Sequence, residues 1–470
     1  MRYLALCCDY DGTLAHHGRV APETFSALER LKASGRRVIL VTGRELPDLR
    51  GVCPRLEVFD HVVAENGALL YEPGTQRETP LAARPPESFI ASLRQRGVSP
   101  ISEGRVIVAT WEPHGTAVLE VIRESGLPLQ VIPNKGAVMV LPTGISKASG
   151  LAAALERIGL SAHNTVGIGD AENDHALLDM CECSAAVANA LPSIKSRADI
   201  VTAADHGAGV IELCEELLRD DLAGREPRLL RHNILIGLDE AGHEIRVAPY
   251  GERILVLAAE HSTSALVTRL LEQLSRKAYT FCALSLQTRQ AGLAGAVSLG
   301  EPDRAPGVEE ILQVLKGPGG ESVLVSLAGL TPAAGPDFLS RLASGLEQLR
   351  AVSGKPHWLL IDATDASVPA HQSEALRTFE AAHTLVCTTQ HPDVLSREAL
   401  QATTLLVANG AMAHESIAAF CRAAALALPS MGPMMLADAD ALAWRPGAGE
   451  RPRQLTSPAA HSTPYAPAHR

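Results

Sequence analysis

Aromatic residues are scarce: Phe, Trp and Tyr together make up 3% of the 470 residues. Leucine, valine, isoleucine and alanine must therefore build the core, and a hydrophobic content of 46% is enough to do so. No apolar run reaches the roughly 20 residues that a membrane span needs. The opening segment, MRYLALCCDYDG, is too short an apolar run for a secretory leader. Basic excess is missing too. The net charge is -11, whereas a nucleic-acid binder presents a basic face; a small anionic substrate stays compatible, because a site can be locally cationic. The nine cysteines are odd in number and form no pair of CxxC units, which argues against a disulfide scaffold. Internal repeats are lacking as well. The expectation is a cytoplasmic chain of two or three domains with neither membrane nor nucleic acid as a partner.

What is present is alternation. Over the first 217 residues, short apolar runs at 3–7, 37–41, 61–64, 165–169 and 184–188 alternate with amphipathic helices. That pattern predicts an α/β fold with a Rossmann-like parallel sheet covered by helices. One helix opens on Pro22, buries Phe25, Leu28 and Leu31, and stops at Gly35. The core is expected over 1–80 and 140–217. The stretch 81–139 reads helix (86–96), strand (105–110), helix (115–125) and two short strands near Gln130 and Val138, an α/β cap inserted over a neighbouring site. Residues 218–231 mix both charges with Gly and Pro and read as a linker. A second α/β domain is expected over 232–444, and a disordered tail over 445–470.

The chemistry concentrates at strand ends. Asp9-Tyr10-Asp11-Gly12-Thr13 follows the first strand directly. Two carboxylates two residues apart repel each other, and a magnesium ion with its preference for hard oxygen ligands relieves that repulsion. Within such a pair one carboxylate can attack phosphorus while the other shuttles a proton. Thr42-Gly43-Arg44 follows the second strand, where a hydroxyl and backbone N–H groups can hold a phosphoryl oxygen. Lys147 precedes a helix and can neutralise phosphate and carboxylates alike. Gly169-Asp170-Ala171-Glu172-Asn173-Asp174 follows another strand and adds carboxylates that call for a metal.

In this order DYDGT, TGR, a lysine before a helix and GDxxND resemble the four motifs of the haloacid dehalogenase superfamily. Glu65-Asn66-Gly67-Ala68 resembles the ENGA segment of its Cof-like branch, which with the sucrose-phosphatase-like enzymes carries an α/β cap between the second and third motifs. The resemblance implies a Mg2+-dependent phosphatase acting on a small phosphorylated metabolite, a phosphosugar or phosphoglycolate, through an aspartyl-phosphate. It implies Asp9 as nucleophile and metal ligand, and Asp11 as general acid/base with its carbonyl on the metal. Thr42 and Lys147 would hold the phosphate, and Asp170 and Asp174 the metal. Asn173 would bond near Lys147 or the phosphate, and Gly43, Arg44 and Asn66 would lie at the cap–core cleft. A phosphomutase or phosphotransferase is the alternative the same core allows. Within the cap Arg105, Trp111, His114, Asn134 and Lys135 are polar or aromatic, and each alone reads first as a surface residue.

In the C-terminal half, a strand at 253–257 runs into a loop and helix, and Pro356 to Asp362 reads as a strand ending in an acid. With the segment from Thr388 to Pro392 these resemble a nucleoside-triphosphatase domain of the additional-strand type. The departures are large. Between Leu257 and Leu266 there is neither Gly nor Lys, and Ala363 stands where a catalytic Glu would be expected. The expectation is a degenerate P-loop fold without ATPase activity, used to bind a protein partner or to sense a nucleotide and so regulate the phosphatase. An unrelated α/β domain is the competing reading.

Overall fold

The computed structural model describes residues 1–258, 265–285, 293–317, 321–331, 333–363, 379, 382–431, 436 and 440–456. The chain divides into two compact units, Met1–Arg231 and His232–Arg470. Among the described residues no helix is long and apolar enough to cross a membrane.

The first unit contains β1 (Ala5–Asp9), β2 (Arg37–Val41), β3 (His61–Ala64), β4 (Leu69–Glu72) and β5 (Arg77–Pro80). These are followed by β6 (Ser102–Glu103), β7 (Val108–Trp111), β8 (Leu129–Asn134) and β9 (Ala137–Pro142), then β10 (Thr165–Gly169), β11 (Cys183–Ala186) and β12 (Ile200–Val201). Eight of them form one sheet in the order β12-β11-β10-β1-β2-β3-β4-β5. It is parallel from β12 to β3 and turns antiparallel at β4 and β5. The central strands β1, β2, β3 and β10 are buried over nearly their whole length, as strands covered on both faces are. The helix Pro22–Ala33 starts and buries as its spacing predicts, with Phe25, Leu28 and Leu31 inside.

Register places the site. Asp9 lies beside Val41, Cys8 beside Ile168, and Val41 beside Val63. The residues that follow β1, β2, β3 and β10 therefore emerge side by side at one edge. Sheet order runs outward in opposite directions from β1, so this edge is also a switch point, where open α/β sheets hold their ligands.

The cap is an antiparallel sheet in the order β6-β7-β9-β8 with the helices Glu87–Gln95 and Gly115–Ser125. Phe89, Ile90, Leu93, Val118, Val121, Val138 and Val140 form its own core. The two short strands expected near 130 and 138 are six residues each, and β9 runs to Pro142. Residues 140–142 thus belong to the cap sheet, not to the core.

Residues 218–231 are not a free linker. The helix His206–Asp220 runs through the first of them. Beyond it Leu222 and Leu229 are buried. Arg36 donates to Asp221 Oδ1 at 2.8 Å, Arg2 pairs with Glu226, and Arg231 Nη2 lies 3.1 Å from Asp199. Asp221, Glu226 and Arg231, among the mixed charges that suggested a linker, find their partners on the core.

The second unit holds a two-stranded ribbon of β13 (Ile234–Leu238) and β14 (Glu244–Val247). Its main strands are β15 (Arg253–Leu257), β16 (Phe281–Ser285), β17 (Ala296–Leu299), β18 (Ser322–Ser326), β19 (Trp358–Ala363), β20 (Leu385–Thr389), β21 (Leu405–Asn409), β22 (Ala441–Trp444) and β23 (Arg453–Leu455). They form one sheet in the order β17-β18-β16-β19-β20-β15-β21-β22-β23, so β20 is inserted between β15 and β19. The expected phosphate-loop position, 259–264, lies outside the described residues. The tail expected to be disordered from 445 is ordered to Thr456: Arg445 pairs with Glu252 at 3.1 Å, and β23 adds a strand beside β22. Residues 457–470 lie outside the described residues.

Candidate active site

Lys147 is the centre of the site. It is the first residue of the helix Lys147–Ile158, whose start is fixed by a capping box between Ser146 and Ser149. Its ammonium donates to Asp9 Oδ1 at 2.5 Å and to Asp174 Oδ1 at 2.6 Å. Lys147 is 1% exposed and Asp174 0%; Asp9 and Asp170 are each 4% exposed. Buried charges of this kind persist only when paired. Asp174 is satisfied further by the backbone N–H groups of Asp170 and Ala171, at 2.9 and 3.0 Å.

The pairing leaves carboxylate in excess. Asp9, Asp170 and Asp174 bring one oxygen each within 4.8 Å of one another. Burial, reinforced by the charges of Asp174 and Asp170, pushes the Asp9 carboxyl up to about 7 against the opposing pull of Lys147. Burial also raises Asp170, with Lys135 pulling the other way. For Lys147, burial lowers the pKa, but Asp174 and Asp9 overrule it and raise it above the ordinary lysine value.

A cation position is already marked. Lys135 Nζ, reaching over from the cap, lies 2.9 Å from Asp170 Oδ2 and 3.2 Å from the backbone carbonyl of Asp11. Both oxygens therefore face one positive group. With Asp9 alongside they make a hard, all-oxygen donor set that fits a magnesium ion. Gly12 is required here: its φ is +94°, and a Cβ would fall 2.4 Å from Asp170 Oδ2.

Asp11 points away from that position. Arg44 Nε and Nη2 donate to its two carboxylate oxygens at 2.6 and 2.7 Å, a bidentate fork that holds it at the cleft. Arg44 also reaches Asp48 at 2.5 Å. Thr42 is buried beneath, its hydroxyl accepting the Arg44 N–H at 3.2 Å and its carbonyl the Asn66 N–H at 2.9 Å. Asn173 lines the cleft, and its amide donates to Asn66 Oδ1 at 3.0 Å. Asn66 is buried behind it, beside the cleft.

Between core and cap lies a cleft of about 700 Å³, with Asp9, Arg44 and Lys147 on one wall and Trp111, Asn134 and Lys135 on the other. Arg105 and His114 are elsewhere, occupied by Glu78 and by the Ser99 carbonyl. One structural residue escaped the sequence reading. Glu65, fully buried, accepts the backbone N–H groups of Arg105, Val106 and Ile107 at 2.8, 2.7 and 2.9 Å and so ties cap to core. A buried acid in a family-like segment was the available signal; its acceptor role was not.

A family model of haloacid dehalogenase-like hydrolases matches residues 6–108 and 130–213. The chain is 30% identical over 216 residues to a phosphoglycolate phosphatase of Methanothermobacter thermautotrophicus, covering 44% of this chain and 96% of that protein. It is 32% identical over 221 residues to a phosphoglycolate phosphatase of Halorubrum lacusprofundi, covering 44% of this chain and 95% of the relative. A solved haloacid dehalogenase-like hydrolase from Bacteroides thetaiotaomicron matches with a TM-score of 0.41 at 20% identity, over 46% of this chain and 99% of that one. Through its N-terminal unit the chain belongs to the haloacid dehalogenase-like hydrolases and is a phosphoric monoester hydrolase of that type.

Proposed function

We propose that the N-terminal unit hydrolyses small phosphorylated metabolites, phosphoglycolate foremost, by a magnesium-dependent route through a phosphoryl group carried on Asp9. The observation that carries this reading is the set of Asp9, Asp170 and Asp174 gathered around Lys147 at the carboxyl edge of the sheet.

In this reading an Asp9 oxygen attacks phosphorus, and the bond from phosphorus to the ester oxygen breaks. Asp11 gives its proton to the departing alkoxide, then takes one from the water that releases phosphate from Asp9. Arg44 aims Asp11 and must yield it when Asp11 takes up its proton. Lys147 fixes the Asp9 rotamer and offsets the negative charge that an incoming phosphoryl group adds. Thr42 and the Gly43 backbone stand at the end of β2 to meet phosphoryl oxygens. Asp9, Asp170 and the Asp11 carbonyl would hold the magnesium, with Asp174 bracing Asp170 through its backbone. When bound, that ion neutralises phosphoryl charge and lowers the cost of bringing two anions together. The relatives named as phosphoglycolate phosphatases support the substrate class.

Phosphate release from phosphoglycolate and a panel of phosphosugars, with magnesium and then with chelator, tests the proposal. Release that survives chelation unchanged would contradict the metal, and inertness toward every ester would contradict the reaction. For the second unit we retain the reading of a P-loop-like domain without ATPase activity.

A further inference from the structure

We propose that Lys135 is the specificity-determining residue of the cap, selecting substrates that carry a carboxylate at the end remote from the phosphoryl group. The inference rests on the phosphatase reading of Asp9 and extends it to the choice between phosphorylated hydroxy acids and phosphosugars.

Lys135 sits at the tip of the hairpin between β8 and β9. Lys135 (φ +47°) and Gly136 (φ +87°) are the two residues of the turn, and both adopt the left-handed conformation that matches hairpin twist. The turn is short, so the lysine stem is projected over the core edge from a fixed point. Its ammonium now rests on Asp170 Oδ2 and the Asp11 carbonyl. Those are the oxygens assigned above to a divalent cation. A divalent cation at those oxygens repels the ammonium beside it, so metal loading turns Lys135 toward the next anion in the cleft.

The rest of the wall narrows what that anion is. On the cap side, Pro100, Ile101, Ile107, Ala109 and Met139 are apolar. The hydroxyls of Ser102 and Thr110 are already given to Glu45 and to the Pro100 carbonyl. On the core side, Arg44 is taken by Asp11 and Asp48. A sugar ring needs a donor or acceptor for each of several hydroxyls, and this wall offers few. It supplies one ammonium, on Lys135, against that apolar wall. That combination suits a short ligand ending in a single carboxylate.

Calorimetric titration of the full chain bearing Asp9→Asn, saturated with magnesium, tests this directly. The two ligands are 2-phosphoglycolate and 2-hydroxyethyl phosphate, equal in length and differing in the charge of the far end. The expected result is a preference of about tenfold or more for the carboxylate. Adding Lys135→Gln should reduce the preference to about twofold or less, and Lys135→Arg should restore part of it. Equal affinities with Lys135 in place, or a preference that survives Lys135→Gln, would overturn the inference alone. Failure of both esters to bind would overturn the inference together with the phosphatase reading.

Discussion

The carboxylate of Glu65, on the core, accepts the backbone N–H of Val106, in the cap, at 2.7 Å. The neighbouring N–H groups of Arg105 and Ile107 join the same carboxylate, and no water reaches it. Three backbone donors, two of them in buried bonds, therefore depend on one side chain. Glu65→Ala should destabilise the N-terminal unit by roughly 2–4 kcal/mol, because each orphaned donor keeps its desolvation cost. Denaturant unfolding of wild type and variant measures this, and coincident midpoints would show that the cap is held by other contacts.

The excess of carboxylate at Asp9 predicts a pH-dependent response to magnesium. Its pKa is raised from 3.8 in the unfolded reference to about 7 when folded, mainly by burial. A raised pKa means the folded state binds the proton more tightly. The stability contributed is present below about pH 4 and is lost as pH rises through 7. Magnesium competes with that proton. At pH 8 magnesium at a hundred times its Kd should raise the Tm of the N-terminal unit by roughly 5–10 °C. At pH 5 the gain should fall to less than half. Scanning calorimetry at both pH values checks it; a gain that is flat or larger at pH 5 contradicts the electrostatic account.

Where the chain can be cut follows from the pairs at its N-terminus. Arg36 holds Asp221, Arg2 holds Glu182 and Glu226, and Arg231 holds Asp199. A piece covering 1–231 should fold and hydrolyse p-nitrophenyl phosphate. A piece ending at 217 should lose several degrees of Tm, since it leaves Arg36 without Asp221 and uncovers the surface that Leu222 and Leu229 pack on. Equal melting of the two pieces would show that 218–231 adds nothing.

For the second unit, the expected outcome is no ATP hydrolysis and at most weak binding. ATP brings about four negative charges, which a working P-loop offsets with a lysine, N–H groups and magnesium. Glu260 and His261 stand in the corresponding stretch, which lies outside the described residues. Titration of the full chain with Mg-ATP is the check. Micromolar binding, or turnover abolished by Asp362→Ala, would make it a live nucleotide site.

The legible part of this molecule is the part written in local pattern. Asp9, Asp11, Asp170 and Lys147 each sit at a strand end or helix start, and sequence order alone brought them to one edge. Lys135 carries no such signature: a lone lysine in a turn looks like solvent-exposed surface until the hairpin folds over Asp170. Glu65 stood in a recognisable segment, but its partners are backbone N–H groups some forty residues on, which no side-chain pattern announces. Gly67 is similar. A Cβ there would fall 1.8 Å from the Ser146 carbonyl, a close approach that fixes the start of the Lys147 helix and is visible only in three dimensions. Mixed charge misled at 218–231, and a composition rich in Pro, Ala, Gly and His misled from 445, because composition does not reveal which residues find partners.

The central claim is that Asp9 is the nucleophile. Phosphate release from 2-phosphoglycolate by wild type and by Asp9→Asn, each with saturating magnesium, tests it most directly. The account predicts turnover in the wild type and a loss of about a thousandfold or more in the variant, with its thermal transition retained, because the amide cannot attack phosphorus. A correctly folded Asp9→Asn protein that turns over within tenfold of wild type would contradict it.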